Sequence, residues 1–181
     1  MTENLNEETL NTERPYSGKI VNLRVDTIKL PSGRVVTREV VEHCDSVCMV
    51  PVDNEHNIWF VRQFRTPAGR ALLELPAGGI DDGELASDAA LRELQEEIGC
   101  TATDLKHLAS FFLAPGWCNE YMHAYLATGL IPSKLEADDD ENIQIEKIPL
   151  KEVSTLIQNG DIDDVKTIAG LLLATQVLGD N

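Results

Sequence analysis

The pattern of apolar and polar positions predicts two β-strands near the start of the chain, over residues 19–30 and 34–43. Both segments are rich in β-branched residues, and Pro31-Ser32-Gly33 between them is typical of a tight turn. Together they predict an antiparallel hairpin. Apolar positions alternate regularly up to Thr27 and then continue on a shifted register, so we expect a bulge or bend near that residue.

Apolar runs bounded by turn residues predict five further strands. They lie at residues 46–52, 57–64, 105–113, 121–127 and 143–148, and residues 71–75 lead into a loop at 76–79. The first two, joined by a polar turn, are expected to be central strands of one sheet. Residues 1–15 show no such pattern and are expected to form a loosely ordered arm.

Three segments have a helical pattern. Residues 85–98 contain no Pro or Gly, are rich in Ala, Leu, Glu and Gln, and stop at Gly99, a natural C-terminal cap. Two more helices are expected over residues 150–158 and 163–178, the second with a buried apolar stripe. Strands and helices together predict an α/β fold.

The helix predicted over residues 85–98 carries an unusual group of charges. At about 100° per residue, Glu93 and Glu97 lie on one face with Glu96 beside them, away from the apolar stripe. Arg92 precedes Glu96 by four residues and can pair with it. Such a concentration of like charge needs a counter-charge, and Mg²⁺ prefers carboxylate oxygens while it keeps waters for a phosphate substrate. A solvated acidic helix face is the alternative.

The whole chain is strongly acidic, with a formal net charge of −16 over 181 residues. Its length fits a single domain with a substantial core. The negative charge argues against a broad surface for nucleic acid or for an anionic membrane, since such surfaces are basic. The polar N-terminus lacks the pattern of a secretory signal, and no apolar run approaches membrane-spanning length, so we expect a cytoplasmic protein.

The four cysteines show no spacing typical of a disulfide framework, so reduced thiols are expected. A zinc site built from His43, Cys44 and Cys48 is an alternative. It is disfavoured because the two cysteines lie in a predicted strand and no second pair of ligands follows at a suitable spacing.

The segment from Gly78 to Cys100 resembles the Nudix box, G-x5-E-x7-R-E-U-x-E-E-x-G-U, in which U is a large aliphatic residue. Leu94 fills the first aliphatic position, and the fixed positions are matched by Gly78, Glu84, Arg92, Glu93, Glu96, Glu97 and Gly99. Cys100 stands at the last aliphatic position. This departure is small, because a buried cysteine packs as a small hydrophobe.

Features outside the box resemble the ADP-ribose pyrophosphatase subgroup of the Nudix hydrolases, which includes nucleoside diphosphate sugar pyrophosphatases. Pro115 follows Cys100 by fifteen residues, and the box is preceded by Arg62-Gln63-Phe64-Arg65 and Glu74-Leu75-Pro76-Ala77-Gly78. The resemblance implies a Nudix fold, with a mixed β-sheet sandwiched between helices and an N-terminal antiparallel β-hairpin in front.

Members of this subgroup form homodimers that exchange N-terminal strands. The resemblance therefore divides the chain into a loose arm at residues 1–15, a hairpin at 16–43 that mediates dimerisation, and a Nudix hydrolase domain at 44–181. A homodimer with exchanged N-terminal strands is expected.

The same resemblance implies a Mg²⁺-dependent pyrophosphohydrolase, with Mn²⁺ able to substitute. Its small-molecule substrate would be ADP-ribose or a related nucleoside diphosphate sugar, cleaved to a nucleoside monophosphate and a sugar phosphate. One alternative is a Nudix hydrolase of another nucleotide, such as a nucleoside triphosphate or a dinucleotide. A Nudix module that senses a ligand without turnover is the other, and it is disfavoured because no carboxylate of the box is missing.

The resemblance also assigns roles within the box. Glu93, Glu97 and the Ala77 carbonyl would hold the metal, and Glu96 would be a ligand or a partner of one. Glu84 would brace the cluster. Arg92 is expected to pair with the glutamates, whereas the glycines Gly78 and Gly99 would serve as turn and cap.

Substrate contacts are expected on both sides of the box. Arg38 and Arg65 match arginines that grip the diphosphate and the terminal ribose in the subgroup. Trp117 suits stacking or hydrophobic cover. Glu74 and Gly116, in the stretches that flank the box, complete the expected substrate-binding set.

The proton acceptor has two candidates outside the box. Glu120 ends the loop of Pro115, which resembles the loop that closes over the diphosphate and supplies the base in bacterial ADP-ribose pyrophosphatases. Glu141 resembles an acidic position implicated in related enzymes, and Glu96 within the box is a further catalytic candidate. We favour Glu120, because Glu141 lies in a run of four acids where solvated charge is the simpler interpretation.

Overall fold

The computed structural model describes residues 5–136 and 142–179. These residues divide into two units by their internal contacts. The first unit is made of the residues up to Cys44 together with Phe112–Tyr121, and the second of Asp45–Phe111 together with the residues from Met122 onward.

The first unit is built on a three-stranded antiparallel sheet in the order β1-β2-β3. Its strands are β1 (Glu8–Ser17), β2 (Asn22–Lys29) and β3 (Val35–Glu42). β2 and β3 are joined by a tight turn, in which the Gly33 amide donates to the Leu30 carbonyl at 2.8 Å. The predicted hairpin is therefore confirmed, with strands slightly shorter than expected.

Strand β1 corrects two expectations. The arm expected to be loosely ordered is a strand from Glu8 onward, although all its residues are exposed. Its sequence lacks the apolar alternation that predicts a strand. The segment is held by backbone pairing with β2 and not by burial of its side chains. The bulge expected near Thr27 lies instead in β1, where the register shifts between Thr9 and Asn11, whereas β2 pairs with β3 without interruption.

The second unit contains two sheets. In the first, with the order β7-β4-β9-β8, β4 (Ser46–Pro51) runs parallel to β9 (Tyr121–Pro132) and antiparallel to β7 (Ala77–Gly79). This sheet is mixed, as expected, and its edge strand β8 spans Cys100–Phe112. The second sheet is antiparallel in the order β10-β5-β6, with β5 at Asn57–Arg65, β6 at Arg70–Glu74 and β10 at Ile143–Pro149.

Strands β4 and β5 were expected in one sheet, but they lie in different sheets. Between them the backbone turns through His56, which takes a left-handed conformation at φ 60°. An isolated bridge joins Val52 to Ile58 beyond the end of β4. The polar turn therefore redirects the chain into a second layer instead of forming a simple hairpin.

The described residues of the second unit form three α-helices: α1 (Ala86–Glu97), α2 (Val153–Asn159) and α3 (Val165–Leu178). Helices α1 and α3 agree with the predicted segments to within two residues at each end. The expected start of the second helix is a short 3-10 turn, Leu150–Glu152, that leads into α2. None of the described helices is long and apolar enough to cross a membrane.

Helices α1 and α3 pack on opposite faces of β4. Val47 and Met49 belong to the same apolar cluster as Leu94 of α1. Val50, on the other face, belongs to the cluster that contains Leu171 of α3. Because side chains of a strand alternate between the two faces of a sheet, β4 is covered on both sides. This arrangement confirms the expected sheet between helices.

None of the four cysteines, all of which lie in the described residues, forms a disulfide. Cys48 is fully buried in β4, and this burial raises the pKa of its thiol to about 12. Within the described residues, His43, Cys44 and Cys48 do not form a group of side chains placed to hold one metal ion, as the zinc alternative would require.

Candidate active site

Helix α1 carries the acidic side chains of the box beside strand β7. Leu94 and Ile98 anchor the helix in the apolar core, and the chain leaves it through Gly99 in a left-handed conformation at φ 68°. Glu93 and Glu97, one turn apart, are only 8% and 6% exposed. Buried carboxylates are costly unless charge and hydrogen bonds compensate them. The candidate site therefore consists of these two glutamates and the groups that compensate their charge.

Arg92 compensates much of this charge. Its guanidinium donates to both carboxylate oxygens of Glu84 at 2.9 and 3.0 Å, to Glu93 at 2.6 Å and to Glu96 at 2.9 Å. It also donates to the Gly79 carbonyl at 2.9 Å, which ties the cluster to β7. The hydrogen bonds with Glu84 contribute most to raising the pKa of Arg92, and they hold the pKa of Glu84 below its usual range. Arg92 is the internal counter-ion of the cluster.

Strand β7 lies directly against the buried carboxylates. The Ala77 amide donates to Glu97 Oε2 at 2.9 Å. A Cβ atom at Gly78 would lie 2.0 Å from the carboxyl carbon of Glu93, far closer than any tolerated contact. The φ angle of Gly78 is not positive. Any larger residue here would force the Glu93 carboxylate to move, so glycine is favoured by the carboxylate packed on its Cα and not by its backbone angles.

The donors gathered at this place fit a hard divalent cation. Glu93 and Glu97 are buried carboxylates on adjacent turns, with the Ala77 peptide in contact with the second of them. Carboxylate and carbonyl oxygens are the ligands that Mg²⁺ and Mn²⁺ prefer. Within residues 5–136 and 142–179, no three acidic, histidine or cysteine side chains already surround one point as metal ligands would. Because Glu93 is bonded to Arg92, a cation that binds here must compete with that guanidinium.

A second charged cluster lies at the end of β6. Glu74 is 1% exposed and accepts hydrogen bonds from Nε and Nη2 of Arg65 at 2.8 and 2.9 Å, and from Lys166. Burial acts to raise the pKa of Glu74, but the hydrogen bonds and charges of Arg65 and Lys166 bring it below its ordinary value. The Arg65 side chain remains 39% exposed, and its charge interacts with that of Glu97. Glu74 is thus enclosed as a support for Arg65 and is not exposed to a substrate.

Three of the predicted substrate-binding residues lie together in the first unit. Arg38, Gly116 and Trp117 line a cavity of about 420 Å³. Arg38 is paired with Glu7 at 2.7 Å, and Trp117 is 59% exposed. An exposed indole and a guanidinium that line the same cavity offer a stacking surface and a positive charge.

Glu120 ends the loop of residues 114–119 in the same unit. It is half-buried, and a carboxylate oxygen lies 3.9 Å from His43 Nδ1. The loop is attached to β3, because the Val41 amide donates to the Trp117 carbonyl at 2.8 Å and the Asn119 amide donates to the Val41 carbonyl at 3.2 Å. Glu141, the other candidate for the base outside the box, lies outside the described residues.

The structure also shows polar residues that the sequence did not single out. Lys166 and Thr167, at the start of α3, are 8% and 0% exposed. The available signal was Asp164, three residues before Thr167, which caps the helix by accepting a hydrogen bond from the Thr167 amide. The burial of a lysine against Glu74, however, depends on two segments that are 92 residues apart.

Two known families match the chain, and the boundary between the two matches lies at the end of the N-terminal hairpin. Residues 42–171 match the NUDIX domain, which covers more than half of the chain. Residues 7–41 match the nucleoside diphosphate sugar hydrolase N-terminal domain. The second match includes all of β1, which the sequence pattern had not predicted as a strand.

Individual relatives agree with the family matches. The chain is 36% identical to the ADP-ribose pyrophosphatase of Bacillus subtilis over 167 residues, which cover 91% of this chain and 90% of the relative. It is 40% identical to the ADP-ribose pyrophosphatase of Mycobacterium tuberculosis, with 91% and 81% of the two chains covered. The crystal structure of an ADP compounds hydrolase superimposes with a TM-score of 0.88 at 25% identity, over 99% of this chain and 98% of that one. The box residues, the fold and these matches agree, and the chain belongs to the Nudix hydrolase family.

Proposed function

We propose that this protein is a Nudix hydrolase that cleaves the diphosphate of ADP-ribose, or of a related nucleoside diphosphate sugar, to a nucleoside monophosphate and a sugar phosphate. The observation that carries the proposal is the buried pair Glu93 and Glu97, held against β7 with Arg92 as counter-ion. Two buried carboxylates on adjacent turns of a helix suit the binding of a cation that in turn binds phosphate. Two relatives that match most of the chain, at 36% and 40% identity, carry the name ADP-ribose pyrophosphatase.

We assign the metal site to Glu93, Glu97 and the carbonyl of Ala77, with Glu96 as a further ligand or a partner of one. Mg²⁺ is the expected ion, and Mn²⁺ is expected to substitute for it. When bound, the ion neutralises the diphosphate and lowers the pKa of a water for in-line attack on phosphorus. Arg92 holds Glu84, Glu93 and Glu96 in place for this task.

Substrate binding is assigned to two groups of residues. Arg65, whose guanidinium is fixed by Glu74 and keeps part of its surface exposed, binds the diphosphate. Arg38 and Trp117, which line the cavity of the first unit together with Gly116, bind the nucleotide by charge and by stacking. Fixing Arg65 in advance lowers the entropy cost of binding phosphate with a flexible side chain.

Glu120 is proposed as the general base that accepts the proton of the attacking water. We expect Glu120→Gln to lower kcat by about 10²-fold or more, the usual loss on removal of a general base. The affinity for Mg²⁺ should stay nearly unchanged. Steady-state kinetics at saturating Mg²⁺ measure the first quantity, and the Mg²⁺ dependence of the rate measures the second. A near-normal Glu120→Gln enzyme together with a larger loss in Glu141→Gln would contradict this assignment.

A homodimer with exchanged N-terminal strands is proposed from the first unit. β1 is an edge strand that is exposed along its whole length, and exposed apolar side chains on this sheet include Leu10, Tyr16 and Val35. An exposed edge strand of this kind readily pairs with a strand of another chain. Sedimentation at micromolar concentration should therefore show a dimer. A monomer under these conditions would remove the proposal.

A cytoplasmic location is proposed on the composition of the chain. The cysteine spacing shows no disulfide framework, and none of the four cysteines, all in the described residues, forms a disulfide. Fractionation of cells that produce the protein tests the location directly.

One substrate panel tests the proposed activity. The purified protein with Mg²⁺ is offered ADP-ribose, ADP-glucose, GDP-mannose, NADH, diadenosine polyphosphates and dATP, with Glu97→Gln as the blank. We expect the highest kcat/KM for ADP-ribose or one of the nucleotide sugars. A preference for dATP or a dinucleotide would show a Nudix hydrolase of another nucleotide. Ligand binding without turnover of any compound would show a sensing module.

A further inference from the structure

The N-terminus of α3 carries a buried polar cluster that no part of the proposed reaction uses directly. Asp164 caps the helix, accepting hydrogen bonds from the Thr167 amide at 3.0 Å and from the Thr167 hydroxyl at 2.6 Å. Lys166 donates to Asp164 at 2.8 Å and also to Glu74. A polar cluster of this kind costs free energy to bury unless its groups satisfy one another. One group of this cluster also forms a hydrogen bond with Leu75, in the segment that leads into the Nudix box.

The contact with that segment is made by the hydroxyl of Thr167. Thr167 Oγ1 donates to Asp164 and, on its other side, accepts a hydrogen bond from the Leu75 amide at 2.9 Å. Both Thr167 and Leu75 are fully buried. Three residues further along α3, a Cβ atom at Gly170 would lie 2.8 Å from Leu75 Cδ1. The helix is thus bonded to Leu75 at one position and packed closely on it one turn later.

Leu75 is the first of three consecutive residues that are fixed by different elements. The amide of Leu75 is held by α3, the carbonyl of Pro76 accepts a hydrogen bond from Met49 of β4 at 3.0 Å, and the amide of Ala77 donates to Glu97 of α1 at 2.9 Å. The position of Ala77 is therefore set by its own hydrogen bond to α1 and by the hydrogen bond of Leu75, two residues earlier, to Thr167 of α3. A shift of Leu75 would move the Ala77 peptide relative to the Glu97 carboxylate.

We infer that Thr167 is a positioning residue for the metal site, acting through the backbone of Leu75, Pro76 and Ala77. The inference rests on the proposed function, since it takes the Ala77 carbonyl and Glu97 as ligands. Groups that orient metal ligands affect the affinity for the metal although they do not touch it. If the cluster served stability alone, a substitution that disrupts it would lower Tm and leave the affinity for the metal unchanged.

The test compares substitutions that keep or remove the hydroxyl of Thr167. Thr167→Val keeps the shape of the side chain and removes the acceptor for the Leu75 amide, whereas Thr167→Ser keeps the acceptor. Calorimetric titration of the substrate-free protein with Mn²⁺ is the readout. We expect Thr167→Val to bind Mn²⁺ about tenfold more weakly and Thr167→Ser to bind it as the wild type does. Thr175→Val is the control, because its hydroxyl is exposed and bonds within α3 to the Leu172 carbonyl at 2.9 Å.

Thr167→Ala serves in the same comparison if Thr167→Val does not fold, because the smaller side chain places no methyl group against the Leu75 amide. A folded Thr167→Val or Thr167→Ala protein with lowered Tm and wild-type affinity for Mn²⁺ would overturn the inference. Failure of the proposed function gives a different result. In that case Glu97→Gln itself would bind Mn²⁺ as tightly as the wild type.

Discussion

Glu97→Gln should lower kcat by about 10³-fold or more at saturating Mg²⁺, since the loss of a metal ligand removes several kcal/mol of transition-state stabilisation. The substitution removes one negative charge and leaves the shape of the side chain nearly unchanged. The amide oxygen of glutamine can still accept the hydrogen bond of the Ala77 amide, which Glu97 Oε2 now accepts at 2.9 Å. The apolar anchors Leu94 and Ile98 are untouched. We therefore expect an inactive protein that is folded, which circular dichroism and Tm would verify.

The matched control is Asp88→Asn, which makes the same change of charge in the same helix. Asp88 lies in the first turn of α1 and is exposed. It should keep wild-type kcat, because it is no part of the buried cluster. A loss of about tenfold or less in Glu97→Gln would contradict the metal assignment, since a missing ligand should cost far more.

Gly78→Ala should lower kcat by about 10²-fold, because misplacement of a catalytic group by as little as 1 Å can have that effect. Alanine is acceptable to the backbone of β7, where φ is not positive, but its Cβ would meet the carboxyl carbon of Glu93 at 2.0 Å. Glu93 is 8% exposed and bonded to Arg92 at 2.6 Å, so it has little freedom to move away. Overpacking of this kind also costs about 1–3 kcal/mol of stability.

A double-mutant cycle identifies the cause of the Gly78→Ala effect. If the added methyl group acts through Glu93, then Gly78→Ala combined with Glu93→Ala should have the same kcat as Glu93→Ala alone. The shortened side chain at position 93 leaves the methyl group nothing to displace. Additive losses in kcat would show that Gly78 acts on the site by another route.

The residues that the sequence predicted well are those whose roles depend on local spacing. Helix α1 was predicted at 85–98 and spans Ala86–Glu97, because helical propensity and the Gly99 cap are both properties of the local chain. The pair of Arg92 and Glu96 follows from a separation of four residues on a helix, and it is present at 2.9 Å. The position of the acidic cluster on one helix face therefore follows from the spacing of its residues.

The features that the sequence did not predict depend on contacts between distant segments. β1 has an exposed, polar sequence, and it is a strand because β2 offers hydrogen-bond partners. Glu74 was predicted to contact the substrate, but its carboxylate is buried between Arg65 and Lys166, and the lysine comes from a helix 92 residues later. Neither periodicity nor a local motif can predict an ion pair between residues so far apart in the sequence.

Arg92 also affects the stability of the protein when a chelator removes the metal. A guanidinium keeps its proton at any pH that the protein meets, so Arg92 stays charged and can pair with Glu84, Glu93 and Glu96 whenever no cation is bound. The repulsion that would otherwise develop between these carboxylates is balanced in part by the chain itself. We therefore expect the protein to stay folded when the metal is removed, unlike small zinc domains, which unfold on chelation. Depletion and reloading of the metal should then both proceed on the folded protein.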